Sequence, residues 1–579
     1  MEETQVSGKL RWTIAAALFA VWPAASWASG VPAARRLPEA FRLAPASVEA
    51  GVFSLNVANR RDNRDSAKPE ASTSGWVLSA AGAAGPPAAP PSETSEVRPR
   101  KPRGRGWLEL GGFMTYSAVS YWIKYTKKGF IEDWQFKLNW HDQSHRFFTL
   151  QAWAFDSNNF KLNWTHTLAG GVYYQFARCN NFSWPAASLV ALAGSFFWEY
   201  VVEWKEVIAI NDQIMTGLGG YATGEPWYQI GRFLNHQRNP VLQALGFLNP
   251  IYEGNAWLDR HNPALRDYEP PGWHDLAVFA GARRLAAAPG RETQTGVYFG
   301  FRARLLGLPE YGAPDDIRRS AKDTYFSEIS LDYTVRDGRA DETNFITKAV
   351  ALGWLRQDIG PGRTGYSLTL GLGSAFQYFK KRPTAPYDAN PVAVTPEDPG
   401  SNLDLSVPRS FTDKLAALHI AGPVLDWTLF RKDFTLRTTA EAYLDFALVN
   451  SFALNRYSEL HDILGMKTTV LYYGYYYGFG GTAAGSFDLA WHGFRARGRA
   501  SFGAWGSADF RDRFQYDVTN NAHLSDTRFD YLVGAGWKIP GLPAEAFVRY
   551  EGLARWGRVQ DVSVHGLEKR LFAGLEFFY

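Results

Sequence analysis

The feature that most constrains this chain is an alternation of apolar and polar residues, repeated from about residue 275 to the last residue. In TYFSEISLDYTVR, Tyr325, Ile329, Leu331, Tyr333 and Val335 share one face, and Glu328, Ser330, Asp332, Thr334 and Arg336 share the other. In FTLRTTAEAYLDFAL the same rule sets Phe434, Leu436, Ala440, Ala442, Leu444 and Phe446 against Thr435, Arg437, Thr439, Glu441, Tyr443 and Asp445. Period two is the geometry of a strand with one apolar and one polar face. Strands of soluble sandwiches run only ~5–6 residues. These run longer, as membrane-crossing strands do, which need ~9–11 residues for the apolar band alone. The sequence predicts a mainly β protein, a transmembrane antiparallel β-barrel of about twelve strands in the bacterial outer membrane. Its apolar face meets lipid and its charged face lines a lumen.

Candidate strands lie at 275–285, 295–307, 324–336, 344–357, 363–379, 412–423, 432–449, 465–480, 482–493, 495–508, 526–538, 544–556 and 566–579. That number is odd, and such barrels normally hold an even one. One assignment is therefore wrong, or a strand lies earlier, as in WLELGGFMTYSAVSYWIKY. The proline-rich stretch from Lys380 to Thr412 reads as a long extracellular loop, and DGRADE (337–342) as a tight turn. The ending LFAGLEFFY puts Leu571, Ala573, Leu575, Phe577 and Tyr579 on the outward face. A terminal aromatic on such a strand resembles the signal by which outer-membrane barrels are recognised for insertion. Aromatics are 15% of the chain and charged residues only 20%, which suits a protein with two solvents to face. A formal net charge of +4 over 579 residues predicts no nucleic-acid partner.

The N-terminus carries Lys9 and Arg11, an apolar core from Thr13 to Val21, and the small-x-small site Ser26-Trp27-Ala28. This reads as a signal peptide over 1–28 and export to the periplasm. Residues 29–105 form an Ala/Pro-rich segment without periodicity, read as a disordered linker. Cys179 stands alone, so no intramolecular disulfide is possible.

Between linker and barrel (251–579) lies a domain at 106–250 whose stretch 156–225 breaks the strand pattern. It reads as an insert of about three helices. The first, 159–178, carries a stripe of Asn159, Asn163, His166, Gly170, Tyr173 and Ala177, polar at the top and small below. The second, 186–204, begins with an apolar run too short for a comfortable membrane span, which suggests a buried helix. It ends in Glu199 and Glu203, four apart on one face, where like charges repel unless protonated or paired. The third starts near the capping residues Asn211 and Asp212. It holds Gly217, Gly219, Gly220 and Gly224, which permit close helix approach, and Pro226 would help end it.

Asn159, Asn163, His166, Arg178, Glu199, Glu203, Asn211 and Asp212 are the candidate members of one polar cluster where these helices meet. They can be mutually satisfied, with Arg178 on a glutamate, His166 on an asparagine and Asp212 capping a helix. They can also form a site, with His166 as general base or as a ligand to a divalent ion beside Glu199 and Glu203. No H-E-x-x-H, G-x-S-x-G or P-loop pattern is present, so the sequence fixes no metal and no cofactor.

The pattern Asn158, Asn159, His166, Gly170, Tyr173, Tyr174, Ala177, Arg178, then Trp198, Glu199, Tyr200, Glu203, Asn211, Asp212, Gly219, Gly220, Gly224, Glu225 resembles a bacterial family catalogued as domain of unknown function 3943. That resemblance implies an outer-membrane barrel with a helical insert, and no reaction. A shorter stretch is similar to the VanZ-like membrane proteins. Two functions compete. One is a plugged pore or envelope-structural barrel, with the insert in the lumen or below its periplasmic mouth, braced by charges such as Arg302, Arg304, Glu328, Asp332, Arg437, Glu441 and Asp445. The other is an enzyme acting on envelope lipid, with His166 as base or ligand, Glu199 and Glu203 beside it, and Arg178 as an anion anchor. The expected partners are outer-membrane lipids and, during insertion, the barrel-assembly machinery.

Overall fold

The computed structural model describes residues 102–128, 135–237, 239–259, 273–286, 293–308, 310–382 and 413–579. The expected signal peptide, almost all of the linker and residues 383–412 of the expected loop lie outside the described residues.

The N-terminal part is helical: α1 (Arg103–Lys128), α2 (Trp140–Phe148), α3 (Phe160–Arg178), α4 (Trp184–Phe197), α5 (Gly219–Asn235), α6 (Pro240–Leu245) and α7 (Pro250–Leu258). A two-residue parallel pair, β1 (Trp153–Ala154) and β2 (Ile208–Ala209), ties its loops together. The segment WLELGGFMTYSAVSYWIKY, which could have held a further strand, is α1. Leu110, Met114 and Ala118 are buried at four-residue steps, so helical rather than strand periodicity governs it. The third predicted helix runs on through Pro226, which sits inside α5. The lost amide costs one backbone bond, and α5 keeps its course because residues on both sides of the proline are buried.

The barrel strands are β3 (Trp273–Ala286), β4 (Gln294–Leu306), β5 (Asp315–Ala321), β6 (Phe326–Arg336), β7 (Arg339–Ile359), β8 (Thr364–Lys381), β9 (Asp413–Arg431), β10 (Phe434–Asn450), β11 (Tyr475–Trp491), β12 (Phe494–Ser507), β13 (Leu524–Lys538), β14 (Ala544–Val559) and β15 (Val562–Phe578). The order β7-β6-β4-β3-β15-β14-β13-β12-β11-β10-β9-β8 closes through β7–β8, giving a twelve-stranded antiparallel ring. The remaining strand, β5, pairs only with the part of β7 that extends past β6. The odd count in the sequence has a local cause. Segments 465–480 and 482–493 are one strand, β11, preceded by a helical turn at Thr468–Tyr473. Its glycine-rich middle looks like a turn, yet it is paired residue for residue with β10 and β12.

Ion pairs between strands that are not neighbours identify the lumen face. Lys348 reaches Glu441 at 2.8 Å, and Arg302 and Arg497 converge on Glu576 at 2.8 and 2.6 Å. The opposite register is apolar and exposed, as at Val278, Val297, Leu370, Leu444, Phe487, Val533 and Leu571. One end carries the short turns 360–363, 432–433, 492–493 and 539–543, beside which Trp491, Phe494 and Trp537 form part of an aromatic girdle. The opposite end carries the longer connections 451–474 and 508–523. Short periplasmic turns, long outer loops, an apolar belt and a polar interior define a bacterial outer-membrane barrel and its orientation. Tyr325 departs from its expected outward face. It precedes β6 and turns inward against Val350, Val424 and Tyr443.

The barrel's own connections pack into both ends of the lumen. At the outer end, Leu454, Tyr457, Ile463, Met466 and Val470 pack on Phe379, Trp505 and Leu553. At the periplasmic end, the Tyr311 hydroxyl meets Thr428 at 2.7 Å, and Gln357 accepts from the Gly312 amide at 3.0 Å. A charged cavity of about 300 Å³ remains between them.

The helical domain does not enter this lumen, contrary to the expectation of a helical plug or a cap below the mouth. It lies against the outer wall. Phe155 and Phe160 pack on Phe376, Leu418, Phe446 and Tyr477, and Ile230, Phe233 and Leu234 on Leu276 and Ala303, all of the outward register. The helix α3 has its N-terminus beside Tyr378 and Tyr475 at the outer end, and Arg178 at its C-terminus pairs with Asp323 at the periplasmic end. Its 19 residues span about 28 Å at ~1.5 Å per residue, close to the height of the apolar belt. Along α4 and the turn after it, the outward stripe Leu189, Ala193, Phe197 and Val201 is exposed and apolar. The expected buried helix is thus apolar on both sides, one packed on the protein and one exposed.

Candidate functional site on the helical domain

The helices meet through small residues. A Cβ placed on Gly170 of α3 would lie 1.9 Å from the Thr216 carbonyl oxygen, so only glycine allows this approach. Gly220 and Gly224 face the backbone of Gly170 and Gly171 in the same way. This crossing brings the polar residues of α3 to the turn before α5.

There His166 Nδ1 stands 2.8 Å from Asp212 Oδ1. Asn211 Nδ2 donates to Asp212 at 2.6 Å and to Asn163 Oδ1 at 3.3 Å, while Asn211 Oδ1 accepts the Asp156 amide at 2.8 Å. Asn163 Nδ2 donates to the hydroxyls of Tyr475 and Tyr477 on the barrel wall at 2.6 and 2.5 Å. Those hydroxyls donate onward to the carbonyls of Asn158 and Asp156. Asn159 stands apart from this network as the N-cap of α3, accepting the Leu162 amide at 3.0 Å. His166 keeps about a fifth of its side chain accessible (21%), and Asp212 very little (5%).

Glu199 and Glu203 belong to a second group. The chain from Trp198 to Val202 is a π turn, so the shared face expected of an α-helix is lost. Glu199 accepts the Ala209 amide at 2.8 Å, and Glu203 accepts the Trp198 indole N–H at 2.8 Å. Arg146, fully buried, donates to the carbonyls of Tyr200 and Glu203 at 3.1 Å each and of Glu206 at 2.7 Å, holding the end of this helix. Glu206 pairs with Arg513 from the outer loop at 3.0 Å. Burial, with Glu206 and Asp212 nearby, raises the Glu203 carboxyl well above the usual carboxylate range. Asp156, in the segment before α3, is raised to about 6 by burial, with Arg513 working in the opposite direction.

Arg178 forms a third group with Glu225, at 2.9 Å, and not with Glu199 or Glu203. Tyr174 and Gln229 also donate to Glu225, at 2.5 and 2.7 Å. The single expected cluster is therefore three. Among the described residues no group of three or more His, Cys, Asp and Glu is placed to hold a metal ion. Sequence reasoning missed Arg146, Asp156, Arg513, Tyr475 and Tyr477, whose partners lie far away in the chain. Glu225 was visible as part of the G-E pattern, without its partner.

Residues 152–251 match the family described as Domain of unknown function (DUF3943). No curated protein matches the sequence. Solved structures similar to the chain include an OmpT loop-deletion mutant of Vibrio cholerae, at 8% identity and TM-score 0.19, covering 53% of this chain and 99% of that one. A mutant of the TodX monoaromatic hydrocarbon channel follows at 7% and 0.23, covering 56% and 93%. OccK2 of Pseudomonas aeruginosa stands at 10% and 0.14, covering 53% and 98%. The region that matches this family, residues 152–251, is set against the outer wall of the twelve-stranded barrel.

Proposed function

We propose that this protein is a closed outer-membrane barrel that carries a helical domain in the surrounding lipid, and that it works at the lipid rather than conducting solutes. The observation that carries this reading is the packing of connections into both ends of the lumen, by residues 451–474 at one end and 310–325 at the other. Ion pairs line the cavity between, so a passing solute would have to displace paired, desolvated charges, each costly to leave alone. The apolar outward stripe of α4 supports the same reading. In planar bilayers the full-length protein gives no ohmic conductance, and a variant with both connections shortened to tight turns does. Steady conductance from the wild type overturns the proposal.

A second reading is favoured by the His166–Asp212 pair. Asp212 engages Nδ1, which leaves Nε2 as the available base of a partly accessible imidazole. On this reading the domain catalyses proton transfer on a membrane lipid, with His166 as base and Asp212 orienting it. Glu199 and Glu203 then shape the surrounding bundle. Lipids of cells carrying wild type or His166→Ala, compared by mass spectrometry, test it. An unchanged lipid profile with equal amounts of folded barrel removes the enzymatic reading.

A further inference from the structure

Between the helical domain and the barrel wall runs a groove of about 820 Å³. Its floor is the outward face of the barrel, with Leu331 and Phe345, and its roof is formed by Leu168 of α3 and Ile230 of α5. It reaches down to Leu234, whose neighbours Leu276 and Ala303 mark the periplasmic end of β3 and β4. At the outer end its lining changes character. Arg339, Lys380 and Arg382 stand around that mouth.

Backbone geometry holds these three cations together. Lys380 is the register partner of Thr343, and the Arg382 amide donates to the Asp341 carbonyl at 2.7 Å. The Asp341 carboxylate on this edge is already taken by Arg283 and by Arg336, the latter at 2.8 Å. Nη1 of Arg382 is buried without a hydrogen-bond partner among the described residues. A buried guanidinium nitrogen without an acceptor costs free energy until an anion supplies one.

We infer that this groove binds an acylated lipid of the outer leaflet whose phosphorylated headgroup carries net negative charge. Its chains lie along the apolar slot and its phosphate is held by Arg339, Lys380 and Arg382. The inference rests on the reading that the helices share the membrane with the barrel, and it adds the lipid class and the residues. Phosphate suits the mouth because guanidinium groups bind it in bidentate fashion, and the low dielectric of the membrane edge strengthens the pairing. The slot suits acyl chains because its walls are apolar and its long axis runs along the membrane normal. A soluble anion would leave the slot empty, and an uncharged lipid would leave the cations unpaired.

The test is native mass spectrometry of the full-length protein in detergent, titrated with phosphatidylglycerol or with phosphatidylcholine of the same chains. One phosphatidylglycerol is retained, with about tenfold preference over phosphatidylcholine. Arg339→Ala/Lys380→Ala/Arg382→Ala lowers its retention to the phosphatidylcholine level. Leu168→Trp, which fills the slot, removes retention of both lipids, and millimolar inorganic phosphate does not displace the bound lipid. Heat-modifiable gel migration confirms that each variant holds a folded barrel. Equal retention of the two lipids by the wild type overturns the inference. So does retention unchanged in the charge variant, or displacement by free phosphate. Conductance is read separately, so failure of the closed-barrel reading and failure of this one are distinguishable.

Discussion

Arg178 of α3 and Glu225 of α5 form an ion pair at 2.9 Å in which Glu225 is wholly buried, and this pair fastens the periplasmic half of the helical domain. Tyr174 and Gln229 complete the shell around the carboxylate. Removing one partner of such a pair strands a buried charge, which typically costs ~3–5 kcal/mol, whereas replacing both by apolar residues costs far less. Arg178→Met therefore destabilises α3 and α5, and Arg178→Met/Glu225→Leu recovers most of the loss. Amide hydrogen exchange of the two helices measures both. Wild-type exchange in the single variant would falsify the assignment.

The glycine crossing makes a sharper prediction, because the obstacle is backbone. At Gly170 an added Cβ meets the Thr216 carbonyl at 1.9 Å, whereas at Gly111 of α1 it meets nothing within 4 Å. Overpacking of a tight contact costs ~1–3 kcal/mol, and here the helices must separate. Gly170→Ala opens residues 160–235 to limited proteolysis while the barrel stays heat-modifiable. Gly111→Ala leaves the digestion pattern as it was, and a matching pattern in Gly170→Ala would contradict the close approach.

Docking of the domain onto the wall depends on Asn163. Its amide donates to two barrel hydroxyls, at 2.6 and 2.5 Å. A hydrogen bond of this kind contributes ~0.5–1.5 kcal/mol, and a stranded buried amide costs more. Asn163→Leu and Tyr475→Phe/Tyr477→Phe each loosen α3. Combined, they do less harm than the sum, because both remove the same bonds. Additive losses in the three-variant cycle would show that the contacts are independent.

What the sequence disclosed follows from which solvent each residue meets. Glu441 and Leu444 announce their faces because lumen and lipid demand opposite chemistry, and the alternation survives in the folded strand. The boundary inside β11 was illegible, since Gly480 and Gly481 carry no side chain to show a face. Tyr325 misled for the opposite reason, being an apolar group turned into a polar lumen to close it. The helical domain kept its polar residue types but hid their pairing. Arg146 holds carbonyls more than fifty residues away, and Asn163 bonds tyrosines more than three hundred residues away. Its position outside the barrel was hidden too. A helix such as α4, apolar on both its packed and its exposed face, has no polar stripe to orient it.

The segment before α3 adds a dependence on pH. Asp156 sits outside the spanning elements, accepts the Ser157 amide at 2.7 Å, and titrates at about 6 because burial outweighs Arg513 at 3.4 Å. An unfolded aspartate titrates near ~3.9, so between these values the folded segment binds the proton more tightly than the unfolded one. The contribution of this group to stability is therefore greatest below the unfolded value. It declines as pH rises through about 6, and is level above that. Amide exchange at Ser157 and Asn158, corrected for intrinsic rates, slows as pH falls from 7 to 5. Asp156→Asn, which cannot ionise, holds the slower exchange throughout. An exchange profile in the wild type that speeds up on acidification would reverse the sign and place the stabilising form of Asp156 with its charge, paired to Arg513.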